Sequence, residues 1–316
     1  MSNKTKRGSA PYFFCLLFAW IFGHSTTFAQ QGTIQHAFET QGFQCQLSSP
    51  SRGVVCICEP HTFACRRIWG DYPEPIALIV PPQFSARGPL ELTYFFHGHN
   101  APGVHHSSIT QLLVRKRLAE GLAESGRNSL LIVPLASQNQ PAEHHGRIAT
   151  HFAEFTARIL TLLQRVELTP SANPSGATIL RRISLASSSG GCFPVQDILR
   201  QSETRNSYRS LIQEVFLFDS VYEPTPSTFS TFSGRLWASY SGPNENRALR
   251  ILRARTARGE SCIRANWFAH PAAPARFEVQ SSACGFVFIG PGDQNHAAHI
   301  PSLFGRLLAP PLNRAN

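Results

Sequence analysis

From about residue 76 onward the chain alternates between two apolar patterns. Leu90–Phe96 is a β-rich run that ends at His97-Gly98. Ile109, Leu112, Leu113, Leu118 and Leu122 then recur at the spacing that lines one face of a helix, which predicts a helix over 109–122. Ser129–Leu135 reads as a second strand. Phe152, Phe155, Ile159, Leu162, Leu163 and Val166 mark the next helix. The turn signal Asn173-Pro174-Ser175-Gly176 precedes a third strand, Ile179–Ala186, and a helix starts just after Gly191. Val215–Phe218 and Arg235–Tyr240 are further strands. Phe286–Ile289 is the last, followed by Gly290-Pro291-Gly292 and a closing helix near 302–308. Strands that alternate with helices predict an α/β fold: a mostly parallel sheet covered by helices on both faces.

The residues before this alternation have a different character. Lys4, Lys6 and Arg7 precede an apolar run, Tyr12 to Gly23, and then Thr27-Phe28-Ala29. A basic start, a short apolar stretch and small residues at the end have the form of an export signal. The run is short for a bilayer span, and no later stretch is long enough for a membrane helix. The expected organisation is a signal peptide at 1–29, a cysteine-rich segment at 30–75 and the α/β domain at 76–316, in a secreted or periplasmic protein without stable membrane insertion once the signal is cleaved. Loss of 1–29 removes three basic and no acidic residues, lowering the net charge from +10 to +7. What remains is scattered arginine with no basic run interleaved with aromatics, which argues against nucleic acid as a partner.

An exported chain makes disulfides the expected fate of its cysteines. Cys45, Cys56, Cys58 and Cys65 crowd together and suffice for two bridges, and Cys262 with Cys284 for a third, which leaves Cys192 over. Cys56-Ile57-Cys58 is too tight for an ordinary zinc pair. For Cys192 itself, a small apolar packing role is preferred to a reactive thiol.

In parallel sheets, ligands bind at the carboxyl ends of strands, so the residues just past each strand carry the chemistry. Ser187-Ser188-Ser189-Gly190-Gly191 lies between a predicted strand and a predicted helix. It resembles the Gly-x-Ser-x-Gly elbow of the α/β-hydrolase superfamily, with Ser187 where that pattern has glycine. Tyr94-Phe95-Phe96-His97-Gly98 resembles the same superfamily's His-Gly turn beside the oxyanion hole. The resemblance spans residues 76–310. It implies a serine hydrolase with Ser189 as nucleophile, acting on a small-molecule or polymeric ester or amide, without a cofactor or metal. It also implies an oxyanion hole from backbone N–H groups of Gly190 and of the loop Gly98-His99-Asn100. Asp219, directly after Val215–Phe218, is the preferred acid; Glu245, after Arg235–Tyr240, is its rival. His296, in Gly292-Asp293-Gln294-Asn295-His296, is the preferred base, and His299 the alternative.

Two other classes compete with this reading. His97, His99, His105, His106, His144 and His145 are many histidines for loops near one rim, as a metal-dependent hydrolase would need, although no further motif completes a ligand set. A non-catalytic binding protein on the same fold is the third class.

Overall fold

The computed structural model describes residues 29–49, 51–59, 62, 74–86, 88–98, 109–136, 141–169, 180–266, 284–291 and 300–308. The strands are β1 (Gln44–Ser49), β2 (Gly53–Cys58), β3 (Ile76–Val80), β4 (Leu90–Phe96), β5 (Ser129–Pro134), β6 (Leu180–Ser188), β7 (Ile212–Phe218), β8 (Arg235–Ser241), β9 (Cys262–Asn266) and β10 (Cys284–Gly290). They form one ten-stranded sheet in the order β1-β2-β3-β5-β4-β6-β7-β8-β10-β9. Every pairing from β5 to β9 is parallel, and the pairings among β1, β2, β3 and β5 are antiparallel.

The central strands are apolar on both faces because helices cover both. Along β4 the side chains alternate between two cores, as the two-residue period of a strand requires. Leu92, Tyr94 and Phe96 join Phe152, Phe155 and Ile159 of helix Phe152–Arg165 and Val195 and Ile198 of helix Cys192–Arg200. Phe95, between them, joins Leu112, Leu122 and Phe304 on the other side. This is the two-sided cover that the alternation predicts. The segment expected as one helix over 109–122 is instead two, Ile109–Lys116 and Leu118–Glu124, broken at Arg117 (φ 48°). The change of direction lays Leu118–Glu124 across helix Ile300–Leu308, where the closest approach is glycine on glycine: a methyl on Gly305 would stand 2.6 Å from the Gly121 carbonyl oxygen.

The cysteine-rich start adds to the same sheet. β1 and β2 form a hairpin paired through β2 to β3, and a helix over residues 29–39, which the apolar pattern did not predict, inserts Ile34 and Phe38 into the core beside Val54. Cys45–Cys56 joins directly opposed residues of β1 and β2, and Cys262–Cys284 does the same for β9 and β10. Each bridge therefore fastens one edge strand of the sheet to its neighbour, where pairing is otherwise one-sided. Cys58 is disulfide-bonded as well, and Cys192 is free and buried. Among the described residues no helix is long and apolar enough to cross a membrane.

Charge is concentrated at the amino ends of the parallel strands. Glu214 on β7 accepts from Arg127 Nη2 at 2.9 Å, Arg235 Nη1 at 3.1 Å, Arg182 Nη1 at 3.3 Å and the Ser184 hydroxyl at 2.7 Å. Burial would raise its pKa, but the Arg127 hydrogen bond and charge dominate together with Ser184 and Arg235, bringing it down to about 2. These ions end the strands on the side away from the candidate site.

Candidate active site at the carboxyl edge

Of the non-glycine residues with positive φ, Arg117 and Glu167 lie at helix ends, whereas Ser189 (φ 51°) and Asp219 (φ 46°) both stand immediately past a parallel strand. The left-handed region costs an L-residue about 1–2 kcal/mol, so its use at two neighbouring strand ends marks positions where side-chain direction outweighs local comfort.

Ser189 follows Ser188, which is still extended (φ −127°, ψ 136°), and opens a short helical turn into helix Cys192–Arg200. The turn is possible because its neighbours are small. A methyl on Gly191 would lie 2.1 Å from the Phe96 carbonyl oxygen, so the helix can start against β4 only with glycine there. Ser187, in the place where the elbow pattern has glycine, is fully buried and earns its hydroxyl: it donates to Ser220 Oγ at 2.9 Å, and Ser220 Oγ donates to the Ser189 carbonyl oxygen. The departure from the pattern thus ties the elbow to the segment carrying Asp219.

Gly98 faces the elbow directly. A methyl there would lie 2.3 Å from the Gly190 nitrogen and 2.5 Å from Ser189 Cβ. His97 fixes that approach. Its Nε2 accepts from the Ala136 N–H at 2.9 Å, so Nδ1 carries the proton and donates to the Gly98 carbonyl oxygen at 2.9 Å. His145 packs edge-on to the His97 ring, with centroids 4.9 Å apart. Both histidines are buried and engaged with backbone or aromatic neighbours. Among the described residues the one close group of potential metal ligands is Glu260, Cys262 and Cys284, whose two sulfurs are joined in a disulfide.

Asp219 is fully buried and carries a fixed set of donors: the Ser241 N–H to Oδ1 at 2.9 Å, the Ser241 hydroxyl to Oδ2 at 2.6 Å and Asn244 Nδ2 to Oδ1 at 2.8 Å. These come from the end of β8 and the turn after it, where Glu245 is also found. Glu245, half exposed, heads helix Glu245–Ala257 and pairs with Arg264 at 3.1 Å. The same turn abuts the exit of β10, since a methyl on Gly242 would lie 2.4 Å from the Pro291 carbonyl oxygen. The described end of β10 and Pro291 therefore lies beside the Asp219 cradle. His296, His299 and His99 lie outside the described residues.

Sequence reasoning missed Tyr222. Its hydroxyl interacts with Ser189 and Asn244; burial raises its pKa, those two hydrogen bonds oppose the rise, and Asp219 adds to it. Phe193 and the Arg247 guanidinium flank the ring. Asn244, Ser241 and Ser220 were missed as well. A tyrosine four residues past a strand has no signature of its own, and only the fold brings it to the serine.

No family model matches the chain, and no curated protein matches it. Among solved structures, the chain is similar to an S-formylglutathione hydrolase from Agrobacterium tumefaciens at 11% identity and a TM-score of 0.42, over 84% of this chain and 96% of that one. It is similar to esterase 2 of Thermogutta terrifontis at 12% identity and a TM-score of 0.43, over 76% and 89%. It is similar to a dienelactone hydrolase from Anabaena variabilis at 13% identity and a TM-score of 0.38, over 75% and 92%. The chemistry of the site rests on the chain's own geometry. A mostly parallel sheet flanked by helices, with an antiparallel start and a strained serine turning from a central strand into a helix at the carboxyl edge, has the architecture of an α/β-hydrolase fold.

Proposed function

We propose that this protein is a serine hydrolase that cleaves an ester or amide through an acyl-enzyme on Ser189. The observation that carries the reading is the strained Ser189 with Gly98 set against the Gly190 nitrogen. In this mechanism His296 takes the Ser189 proton as the hydroxyl oxygen attacks the substrate carbonyl carbon. The resulting oxyanion accepts hydrogen bonds from the Gly190 N–H and from an N–H of the loop after Gly98, with His99 as the matching residue. The tetrahedral intermediate collapses, His296 returns the proton to the departing alcohol or amine, and the acyl group stays on Ser189 Oγ. Water, deprotonated by His296, repeats the attack and releases the acid. Asp219, fixed in place by its donors, orients the imidazole and stabilises its protonated form.

The basic, apolar start and the bridges at both sheet edges together support export to an oxidising compartment, secreted or periplasmic. Fluorophosphonate labelling followed by peptide mapping tests the chemistry. Label on Ser189, with loss of p-nitrophenyl ester turnover in Ser189→Ala, is the expected result. Full turnover in that variant, or turnover abolished by a chelator and restored by zinc, refutes it.

A further inference from the structure

The helix that begins at the elbow ends at Arg200, and a cavity opens there. It has a volume of about 270 Å³ and is lined by Leu199, Arg200, Arg209, Ser227, Thr228, Thr231 and Phe232. Helix Cys192–Arg200 has nine residues, which puts its end roughly 13 Å from its start. Arg209 precedes β7 at Ile212, and Asp219 follows that strand's other end. The cavity is therefore separate from the carboxyl edge.

Its wall has two guanidinium groups, three hydroxyls and no carboxylate. Each arginine is held by its Nε: Arg200 donates to Thr228 Oγ1 at 2.9 Å, and Arg209 donates to the Leu199 carbonyl oxygen at 3.1 Å. Gln196, with its amide oxygen turned to the guanidinium, accepts from both Nη1 and Nη2 of Arg200, the latter at 3.0 Å, and Arg200 is an exposed residue. Neither arginine forms an ion pair among the described residues. Asp197 senses the Arg200 charge from the same helix but does not line the cavity. Arg209 is half-buried, and burial holds it below the usual arginine range, with only exposed Glu203 opposing that. Among the described residues the Nη pair of Arg209 makes no hydrogen bond, and Thr228 Oγ1, which accepts from Arg200, keeps its own proton to donate.

A guanidinium partly removed from water without a carboxylate is completed by an external anion, and a planar fork matches an oxyanion in bidentate fashion. We infer that this cavity is a binding site for a small oxyanion, a phosphate, sulfate or carboxylate group, gripped by Arg209 with the Thr228 hydroxyl, while Arg200, engaged by Thr228 and Gln196, adds a second positive charge to the wall. Leu199 and Phe232 leave an apolar side against which the organic part of such a ligand rests.

The test is calorimetric titration of the full chain with inorganic phosphate, sulfate and acetate at ionic strength held constant with chloride. At least one is expected to bind saturably, and which one identifies the group. Arg209→Gln is expected to weaken it by roughly tenfold or more, the range for a hydrogen bond to a charged group. Arg200→Gln serves the same purpose if Arg209→Gln does not fold. Ser189→Ala is expected to bind as the native protein does, which separates this site from the proposed hydrolysis. Absence of saturable binding of all three anions, or undiminished binding in the arginine variant, overturns the inference.

Discussion

Replacing Gly98 by alanine gives the sharpest test of the elbow geometry. The added methyl would sit 2.3 Å from the Gly190 nitrogen, 2.5 Å from Ser189 Cβ and 2.8 Å from the Ser188 carbonyl oxygen. Ordinary contact begins at about 3.4 Å, so the nearest overlap is about 1 Å. None of the three atoms is the free end of a long side chain, and His97 ties the Gly98 carbonyl to Ala136 from behind. Relief requires the loop and the elbow to part by roughly that ångström. Overpacking of this kind costs about 1–3 kcal/mol of stability. The effect on catalysis is larger: losing one oxyanion donor costs about 10²–10³ in kcat, and an ångström of misplacement about 10². The expected result is a folded protein with a modestly lower Tm, slower fluorophosphonate labelling and kcat/KM on a p-nitrophenyl ester reduced by about 10²–10³. Gly146→Ala is the control, since nothing lies within 4 Å of its added methyl and it is helical; activity there stays at the native level. If Gly98→Ala keeps native turnover, the Gly190 N–H does not serve the reaction and the oxyanion assignment fails.

Asp219→Asn is expected to lower kcat by about 10³–10⁴, because an amide facing the donors Ser241 and Asn244 neither orients nor stabilises an imidazolium; an active Asp219→Asn beside an inactive Glu245→Gln would move the acid to Glu245. Glu214 has a folded-state pKa of about 2, below the usual carboxylate value, so its contribution is complete at neutral pH and lost as pH falls from about 4.5 toward 2. Glu214→Gln should cost about 3–5 kcal/mol at pH 7 in guanidinium denaturation and flatten the acid limb, and an unchanged slope between pH 5 and 2.5 would contradict the assignment. Cys192 is fully buried and its thiol pKa is raised by that burial, against hydrogen bonds from Tyr222, Thr225 and Ser220. Cys192→Ala should cost on the order of 1 kcal/mol and keep turnover, while iodoacetamide labels the folded native protein slowly; rapid labelling with parallel loss of activity would place the thiol in the active site.

The sequence by itself placed six of the parallel strands, β4, β5, β6, β7, β8 and β10, and their alternation with helices, because burial on both faces of a parallel sheet writes continuous apolar runs separated by helical periods; β1, β2, β3, β9 and helix Glu245–Ala257 were not placed. It also located Ser189, since a tight strand-to-helix turn needs small neighbours and those are legible as Ser-Ser-Ser-Gly-Gly. The pairing of Cys262 with Cys284 was one the sequence allowed, with Cys192 left over by elimination, and the structure has both. The helix over 29–39 was not, because it lies in the cysteine-rich stretch where no periodicity was apparent. The break at Arg117 was hidden because the apolar spacing continues through it; the crossing with helix Ile300–Leu308 sets the new direction. Only the tertiary structure decided what surrounds the serine. Ser220 and Tyr222 come from the loop after β7, Ser241 and Asn244 from the end of β8 and the turn after it, and Gly98 from just past β4. These residues are far apart in the chain and common in type, so no local pattern singles them out. They meet because parallel strands all deliver their carboxyl ends to one edge, and a site assembled from several such ends is written in the topology rather than in any one segment.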